Sequence, residues 1–369
     1  MKYSIIVPVY NRPDEVDELL HSLCQQTVKD FEVLIIEDGS VKPCKDVCDQ
    51  YANILDLHYY AKENSGPGQS RNYGAERAQG EWLIILDSDV VLPKGYLKAV
   101  DAEVSTLLPH REGQGGGFLA AFGGPDAAHS SFTPTQKAIS YSMTSFFTTG
   151  GIRGGKKKLD KFYPRSFNMG IKREVYQQLG GFSKMRFGED IDFSYRIVEA
   201  GYKTMLIPEA WVWHKRRTDF RKFYRQVYNS GIARINLMKR HPGTLKLVHL
   251  LPTVFTLGVI GCLLLFALGA ELYIEGEWLD AHGLRPTDNM HQGVGMVFCV
   301  LALFPLLLYS LIIFIDSSIR NKSLWVGLLS IPAAFTQLMG YGFGFIEAWW
   351  KRCVRKKDEF TAFEKNFYK

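Results

Sequence analysis

Short apolar runs alternate with helix-period segments through the first half of the chain, and long apolar stretches fill the last third. Ile5–Val9 and Phe31–Glu37 read as strands. Trp82-Leu83-Ile84-Ile85-Leu86 is an unbroken apolar run, which suits a parallel strand buried on both faces. Pro13–Gln25 predicts a helix opened by Pro-Asp-Glu, residue types that favour a helix N-terminus. Lys42–Tyr51 and Gly68–Gln79 predict two more helices, and Leu57–Tyr60 and Phe118–Phe122 two more strands. Alternation at this spacing implies an α/β fold with a mostly parallel, doubly wound sheet. His110–Gly117 reads as a mobile Gly-rich loop.

Leu245–Tyr273, Val294–Ile315 and Leu324–Trp350 each carry very few charges over about twenty or more residues, enough to cross a bilayer. The expected organisation is a catalytic domain at 1–235 whose last part, from about 216, is an interfacial helix. A membrane region of two to three apolar helices follows at 245–350, then a basic tail at 351–369. Trp325, Trp349 and Trp350 fit an interfacial aromatic belt. The last segment conflicts with the simplest topology. Three crossings would place the tail Lys351–Lys357 outside, against the positive-inside tendency. Pro332, Gln337, Gly340, Gly342 and Gly344 leave open a re-entrant or interfacial hairpin instead.

Charge sharpens the orientation. Lys215–Lys246 holds ten Lys or Arg against one acidic residue, Asp219. The loop from Glu271 to Met290 reverses the balance, with Glu271, Glu275, Glu277, Asp280 and Asp288 against Arg285. The basic segment therefore belongs on the cytoplasmic side, with the catalytic domain, and the acidic loop outside. Its apolar borders favour membrane lipid as the partner and no nucleic acid. The location expected is the inner (cytoplasmic) membrane, multi-pass. The six cysteines form no disulfide framework and no zinc spacing, which fits reduced, isolated thiols. No signal peptide is apparent, since Pro8 and Asn11-Arg12-Pro13 cut the first apolar run short.

The candidate chemistry begins at the end of the Trp82–Leu86 strand. Asp87-Ser88-Asp89 delivers two carboxylates to the strand's C-terminal edge, where open α/β sheets bind ligands. Two hard oxygen ligands one residue apart suit Mg²⁺ or Mn²⁺ carrying a diphosphate. A polar strand-to-loop exit is the bland alternative. Comparable alternatives stand beside the other candidates. Asp38-Gly39-Ser40 is a site or a turn. Arg71 is a diphosphate ligand or a solvated helix-face cation. Glu189-Asp190 are catalytic acids or helix-start acids favoured by the dipole. His214 is a ligand or an ordinary interfacial histidine.

The motifs occur in a telling order: Val7-Pro8-Val9-Tyr10-Asn11, Glu37-Asp38-Gly39-Ser40, Asn64-Ser65-Gly66-Pro67-Gly68 leading to Ser70-Arg71-Asn72, Asp87-Ser88-Asp89, Gly188-Glu189-Asp190 and Trp213-His214. Over about residues 1–235 this set resembles the family 2 glycosyltransferases, with their GT-A nucleotide-sugar-binding fold. The resemblance implies that Asp38 accepts a hydrogen bond from the nucleotide base, in a pocket lined by Pro8, Tyr10 and Asn11. It implies that Arg71 contacts the nucleotide or its diphosphate, and that Asp87 and Ser88 belong to the same nucleotide-sugar site. Asp89 would ligate Mn²⁺ or Mg²⁺, with Asp87 supporting it or holding the ribose and His214 completing the site. Asp190 would be the general base of a single, inverting displacement, with Glu189 orienting the acceptor; Asp192 and Asp160 are the nearest competitors. Asn168, in Arg165–Gly170, would contact the donor sugar and acceptor. The loop Gly150–Lys158 could close over the diphosphate or simply be solvated.

Two departures narrow the function. Tyr224–Gly231 lacks the Gln-x-x-Arg-Trp motif of processive membrane synthases, and three apolar segments are too few for a polysaccharide channel. Both favour transfer of one sugar from a nucleoside-diphosphate donor to a lipid-linked or saccharide acceptor, in envelope or extracellular polysaccharide synthesis. Glu37 stands where many relatives have Asp, a mild change. A membrane nucleotidyltransferase would need a basic phosphate-cradling loop near the N-terminus, where only Arg12 is offered. A non-catalytic membrane scaffold would not need Asp89, Asp190 and His214.

Overall fold

Apolar runs flanked by turn residues pair into a central sheet because their backbone groups, once buried, must bond to one another. The computed structural model describes residues 1–107, 119–127, 129, 132–150, 162–215, 219–282 and 290–363. The loop expected at His110–Gly117, most of Gly150–Lys158 and Asp160 lie outside the described residues. In chain order the elements are β1 (Tyr3–Val9), α1 (Pro13–Cys24), β2 (Phe31–Asp38), α2 (Lys45–Tyr51), β3 (Leu57–Lys62), α3 (Pro67–Ala75), β4 (Trp82–Leu86) and β5 (Val90–Val91). There follow α4 (Tyr96–Leu107), β6 (Leu119–Gly123), β7 (Asp126–Ala127), α5 (Pro134–Thr144), α6 (Phe146–Thr149), β8 (Asn168–Lys172), α7 (Arg173–Gln178) and α8 (Glu189–Glu199). The chain continues through β9 (Lys203–Leu206), β10 (Val212–His214), α9 (Phe220–Arg240), α10 (Leu251–Ala281), α11 (Met290–Asn321) and α12 (Leu324–Trp349).

These elements form two compact units that interleave along the chain. One comprises Met1–Phe132, Gly154–Arg216 and Leu237–Thr244; the other comprises Thr133–Arg153, Arg217–Asn236 and Leu245–Lys369.

In the first unit the strand order is β3-β2-β1-β4-β8-β6-β9. β1 pairs in parallel with β2 and β4, β2 with β3, and β6 with β9, while β8 runs antiparallel between β4 and β6. Side chains alternate between faces along each strand. Ile5, Val7, Val33, Ile35 and Ile84 therefore fill one core, and Ile6, Leu34, Ile36, Leu83 and Ile85 fill the other with Met169 and Phe193. The C-terminal ends of β1, β2 and β4 lie along one edge. Asn168, at the start of β8, joins that edge by pairing with Leu86. A second, three-stranded sheet of β5, β10 and β7 sets His214 opposite Val90, one residue beyond Asp89.

The second unit is built differently. α10 and α11 present Leu263, Leu264, Leu301, Phe304 and Leu307 outward, and only 11 % of each span's apolar window is buried, against 39 % for α12. All three helices are long and apolar enough to cross a membrane. Polar groups turn inward: Ser317 and Ser330 are fully buried and share a 2.7 Å hydrogen bond. The re-entrant hairpin entertained for the last segment does not form. Leu324–Trp349 is one continuous helix with Pro332 inside it. Helices buried among neighbours tolerate an internal proline because other groups re-satisfy the freed carbonyl.

Candidate functional site

Three loops at one sheet edge carry the polar residues of the first unit. Asp38 closes β2 and is 3 % exposed. Its carboxylate accepts from the backbone N–H groups of Ser65 and Gly66, both at 2.9 Å, and from Lys62. The residue after it must be glycine: Gly39 has φ +71°, and a Cβ there would sit 2.8 Å from the Asn64 nitrogen. Glu37 turns the same loop, accepting from the Cys44 N–H at 2.7 Å and from Ser40. Asn11, itself at φ 56°, accepts from Val41 and Lys42 through Oδ1 at 2.7 and 2.9 Å. Asn11 thus ties the end of β1 to the end of β2, with Pro8 and Tyr10 half-buried beside it.

The acidic triplet follows β4. Ser88 is buried, and Asp87 and Asp89 are half-buried. Asp87, Asp89 and His214 place one ligand atom each within 4.8 Å of one another. The β5–β10 pairing and a backbone bond from Lys215 to the Asp89 carbonyl, 3.0 Å, hold the histidine there. His214 stacks on Phe167 at 5.0 Å and turns Nε2 toward Asp89 Oδ1 at 3.3 Å. Its Nδ1 is buried and has no hydrogen-bond partner among the described residues, so no second bond fixes its tautomer. Two carboxylates and an imidazole are a fitting donor set for Mn²⁺ or Mg²⁺. Arg12 Nη1, 3.1 Å from Asp89 Oδ2, balances the carboxylate charge.

Arg71, 3 % exposed on α3, links this cluster to the second acid pair. Its Nη2 donates to Asp87 Oδ1 at 2.8 Å and its Nη1 to Glu189 Oε1 at 3.0 Å. Glu189 and Asp190 open α8 after Gly188, where the helix dipole favours negative charge. Burial pushes the Glu189 carboxyl up to about 7, with Arg71 opposing the rise and Asp190 adding to it. Burial also works against ionisation of Asp190. There Arg165, donating from Nε at 2.6 Å, together with Arg71 and the Ile191 N–H outweighs burial, and the carboxyl is held below its usual range. The neighbouring acids are thus driven apart in opposite directions, a pattern typical of paired catalytic groups.

The structure brings Asp87, Asp89, His214, Arg71, Glu189 and Asp190 into one connected set. Asn168 sits apart from open solvent at 1 % exposed, its amide accepting from Tyr96 at 2.7 Å and donating to the Ala210 carbonyl at 2.8 Å. In that segment Arg165 is the side chain that reaches the acid pair. Asp192, named as a competitor, faces the other way, bonded to Arg196 at 3.1 Å and His241 at 3.0 Å. Arg12, Arg165 and Phe167 were missed as site residues. Nothing in a basic or aromatic residue's local sequence shows which carboxylate or ring it meets across the fold.

Comparison with known proteins agrees with this geometry. Glycosyl transferase family 2 matches residues 4–106, and Glycosyl transferase family group 2 matches residues 166–337. The chain belongs to the family 2 glycosyltransferases. A pre-mycofactocin glycosyltransferase of Mycobacterium tuberculosis is 25% identical over 282 residues, 73% of this chain and 53% of that protein. A poly(ribitol-phosphate) β-N-acetylglucosaminyltransferase, TarS, of Staphylococcus aureus is 37% identical over 102 residues, 27% of this chain and 18% of that protein. The chain therefore spans about half of the first relative's length and under a fifth of the second's. Among solved structures, the mannosyltransferase PcManGT of Pyrobaculum calidifontis, in complex with GDP-Man and Mn²⁺, matches with a TM-score of 0.55. It is 15% identical and covers 95% of this chain and 88% of its own. At that identity the likeness supports the fold, which is of the GT-A type.

Proposed function

We propose that this family 2 glycosyltransferase is a metal-dependent, inverting enzyme. It moves one sugar from a nucleoside-diphosphate sugar to a lipid-linked acceptor, at the cytoplasmic face of the inner membrane, in envelope or extracellular polysaccharide synthesis. The observation that carries the proposal is the continuous polar set running from Asp87, Asp89 and His214 through Arg71 to Glu189 and Asp190. A donor-side cation site and an acceptor-side base are what a displacement at an anomeric carbon needs. The relatives are named for sugar transfer, and the fold neighbour is named with GDP-Man and Mn²⁺.

Asp38, Pro8, Tyr10 and Asn11 form the wall that takes the base, and Ser88 lies under the sugar nucleotide. A divalent ion bound by Asp87, Asp89 and His214 would neutralise charge on the departing nucleoside diphosphate. Arg71 fixes Asp87 against Glu189, so donor and acceptor sides keep one geometry. Asp190 is kept ionised by Arg165 and takes the proton of the acceptor hydroxyl as its oxygen attacks the anomeric carbon. The bond from that carbon to the diphosphate oxygen breaks in the same step, which inverts the configuration. Glu189 and Arg165 flank the acceptor, with Asn168 supporting the strand end beneath it. The apolar helices of the second unit suit a lipid-borne acceptor.

Membranes containing the full chain should release nucleoside diphosphate from one donor of a nucleotide-sugar panel when a lipid-phosphate extract is supplied, and chelator should abolish the release. Silence across the panel together with no donor binding by calorimetry would sink the enzyme reading. Equal activity on a short water-soluble acceptor would sink only its lipid-linked part.

A further inference from the structure

Helix α12 is as long as a membrane span, yet its contacts do not follow a spanning path. Over its first turns it runs along α11: Gly327 lies against Ser318 and Phe314, Ser330 bonds Ser317, and Phe335 meets Tyr309 at 5.7 Å. Farther along it meets α10 near that helix's start. Phe335 packs on Phe255 at 5.5 Å, the Leu338 carbonyl lies 3.4 Å from Thr256 Oγ1, and Gly342 abuts the Pro252 carbonyl and Thr256. Between Phe335 and Gly342 the helix advances about 10 Å, at roughly 1.5 Å per residue. The α10 residues met by Phe335, Leu338 and Gly342 are nevertheless Pro252, Phe255 and Thr256, just after Leu251. A helix descending beside α10 would move steadily down it.

The far end of α12 meets α9. Gly340 and Gly344 let the two backbones approach, a Cβ at Gly344 falling 2.0 Å from the Tyr228 carbonyl. Tyr228 donates to Glu347 near the last turn of α12. The segment after it returns to α9 as well: Asn229 exchanges two hydrogen bonds with Ala362, at 3.0 and 2.9 Å, and Asn236 donates to the Phe360 carbonyl at 3.2 Å. α9 lies before α10 in the chain, and no apolar stretch separates it from the catalytic strands. A helix that crossed the hydrocarbon, about 30 Å thick, would leave its end out of reach of α9.

We infer that α12 lies within the lipid leaflet on the catalytic side, that the chain crosses the membrane twice, through α10 and α11, and that its C-terminus shares the side of α9. The partner of its exposed surface is that leaflet. Leu324, Trp325 and Leu328 meet lipid at one end and Trp349, Trp350 and Val354 at the other, with both tryptophan groups at one interface. Between Ala333 and Ala348 no residue is fully exposed, and α5, through Ala138 and Tyr141, packs on this helix beside α9, α10 and α11. The same arrangement returns Lys351, Arg352, Arg355, Lys356 and Lys357 to the side of the other basic segment, in accord with the charge rule.

Single cysteines placed by Lys42→Cys, His282→Cys and Lys357→Cys, in a chain whose native cysteines are replaced, test this with a membrane-impermeant maleimide on sealed vesicles of known orientation. Lys42→Cys and Lys357→Cys should label from one face and His282→Cys from the other. Labelling of Lys357→Cys with His282→Cys would overturn the inference in favour of three crossings. Labelling of all three from one face would overturn it differently, by showing that α10 and α11 do not cross. Fluorescent-protein fusions at the two termini of the otherwise unaltered chain repeat the comparison without cysteine replacement. Fluorescence from only one of them would count against the inference.

Discussion

The two units solve the burial problem in opposite senses. The first hides Ile5, Leu34, Ile84 and their neighbours and gathers its charges at the strand ends, where Arg71 and Arg165 pair with carboxylates that are themselves nearly buried. The second turns leucines outward and hides Ser317, Ser330 and Thr256. The contrast shows one chain written for two solvents. Water rewards the first pattern through apolar burial, while lipid gives no such reward and leaves close packing and internal hydrogen bonds to hold helices together.

The contrast can be broken most severely at the acid pair. Asp190→Asn should lower transfer by about 10²–10⁴-fold, the usual worth of a general base, with donor affinity by calorimetry unchanged. An unaltered rate would remove Asp190 from the chemistry. Next comes the cation cluster. Asp89→Ala should weaken metal activation by more than the roughly 10–100-fold typical of groups that only support a ligand, read from a Mn²⁺ titration of nucleoside diphosphate release.

In the second unit, Leu264→Lys places a charge near the middle of α10 and should cost about 3 kcal/mol of insertion. The protein should then leave the membrane fraction, whereas a water-facing leucine would accept lysine without loss. A subtler test returns to Glu189. Its folded pKa of about 7 lies above the reference 4.5, so the native state keeps a proton that the unfolded chain releases. Stability from this group is present at low pH and declines as pH rises through that window. Glu189→Gln should flatten the decline, moving the pH dependence of Tm by a few degrees, at about 2–4 °C per kcal/mol. A wild-type slope in the variant would show that another group titrates. The smallest effect is expected from Ser330→Ala, which removes a buried bond worth roughly 0.6 kcal/mol between membrane helices and should barely shift thermal unfolding in detergent.

Much of the site was legible because it rides on strand ends. The run Trp82–Leu86 could only be a buried strand, so Asp87 and Asp89 had to emerge at its C-terminal edge, and the order of motifs pointed to His214 and Asp190. The partners of these groups were not legible. Arg12 is 77 positions from Asp89 and Arg165 is 25 from Asp190, and no local pattern announces such meetings. Asn168 illustrates the converse, a polar residue in a promising segment whose amide the fold spends on Tyr96 and Ala210.

The sequence by itself determined the alternation of strands and helices, the acidic edge and the three apolar stretches, because periodicity, turn residues and hydrophobic length are local properties. Only the tertiary structure decided that Arg71 joins two acid pairs, that Glu189 and Asp190 are driven in opposite directions, and that α12 turns back to α9. Each of those depends on which side chains meet across the fold, and through-space electrostatics and packing follow those meetings rather than order along the chain.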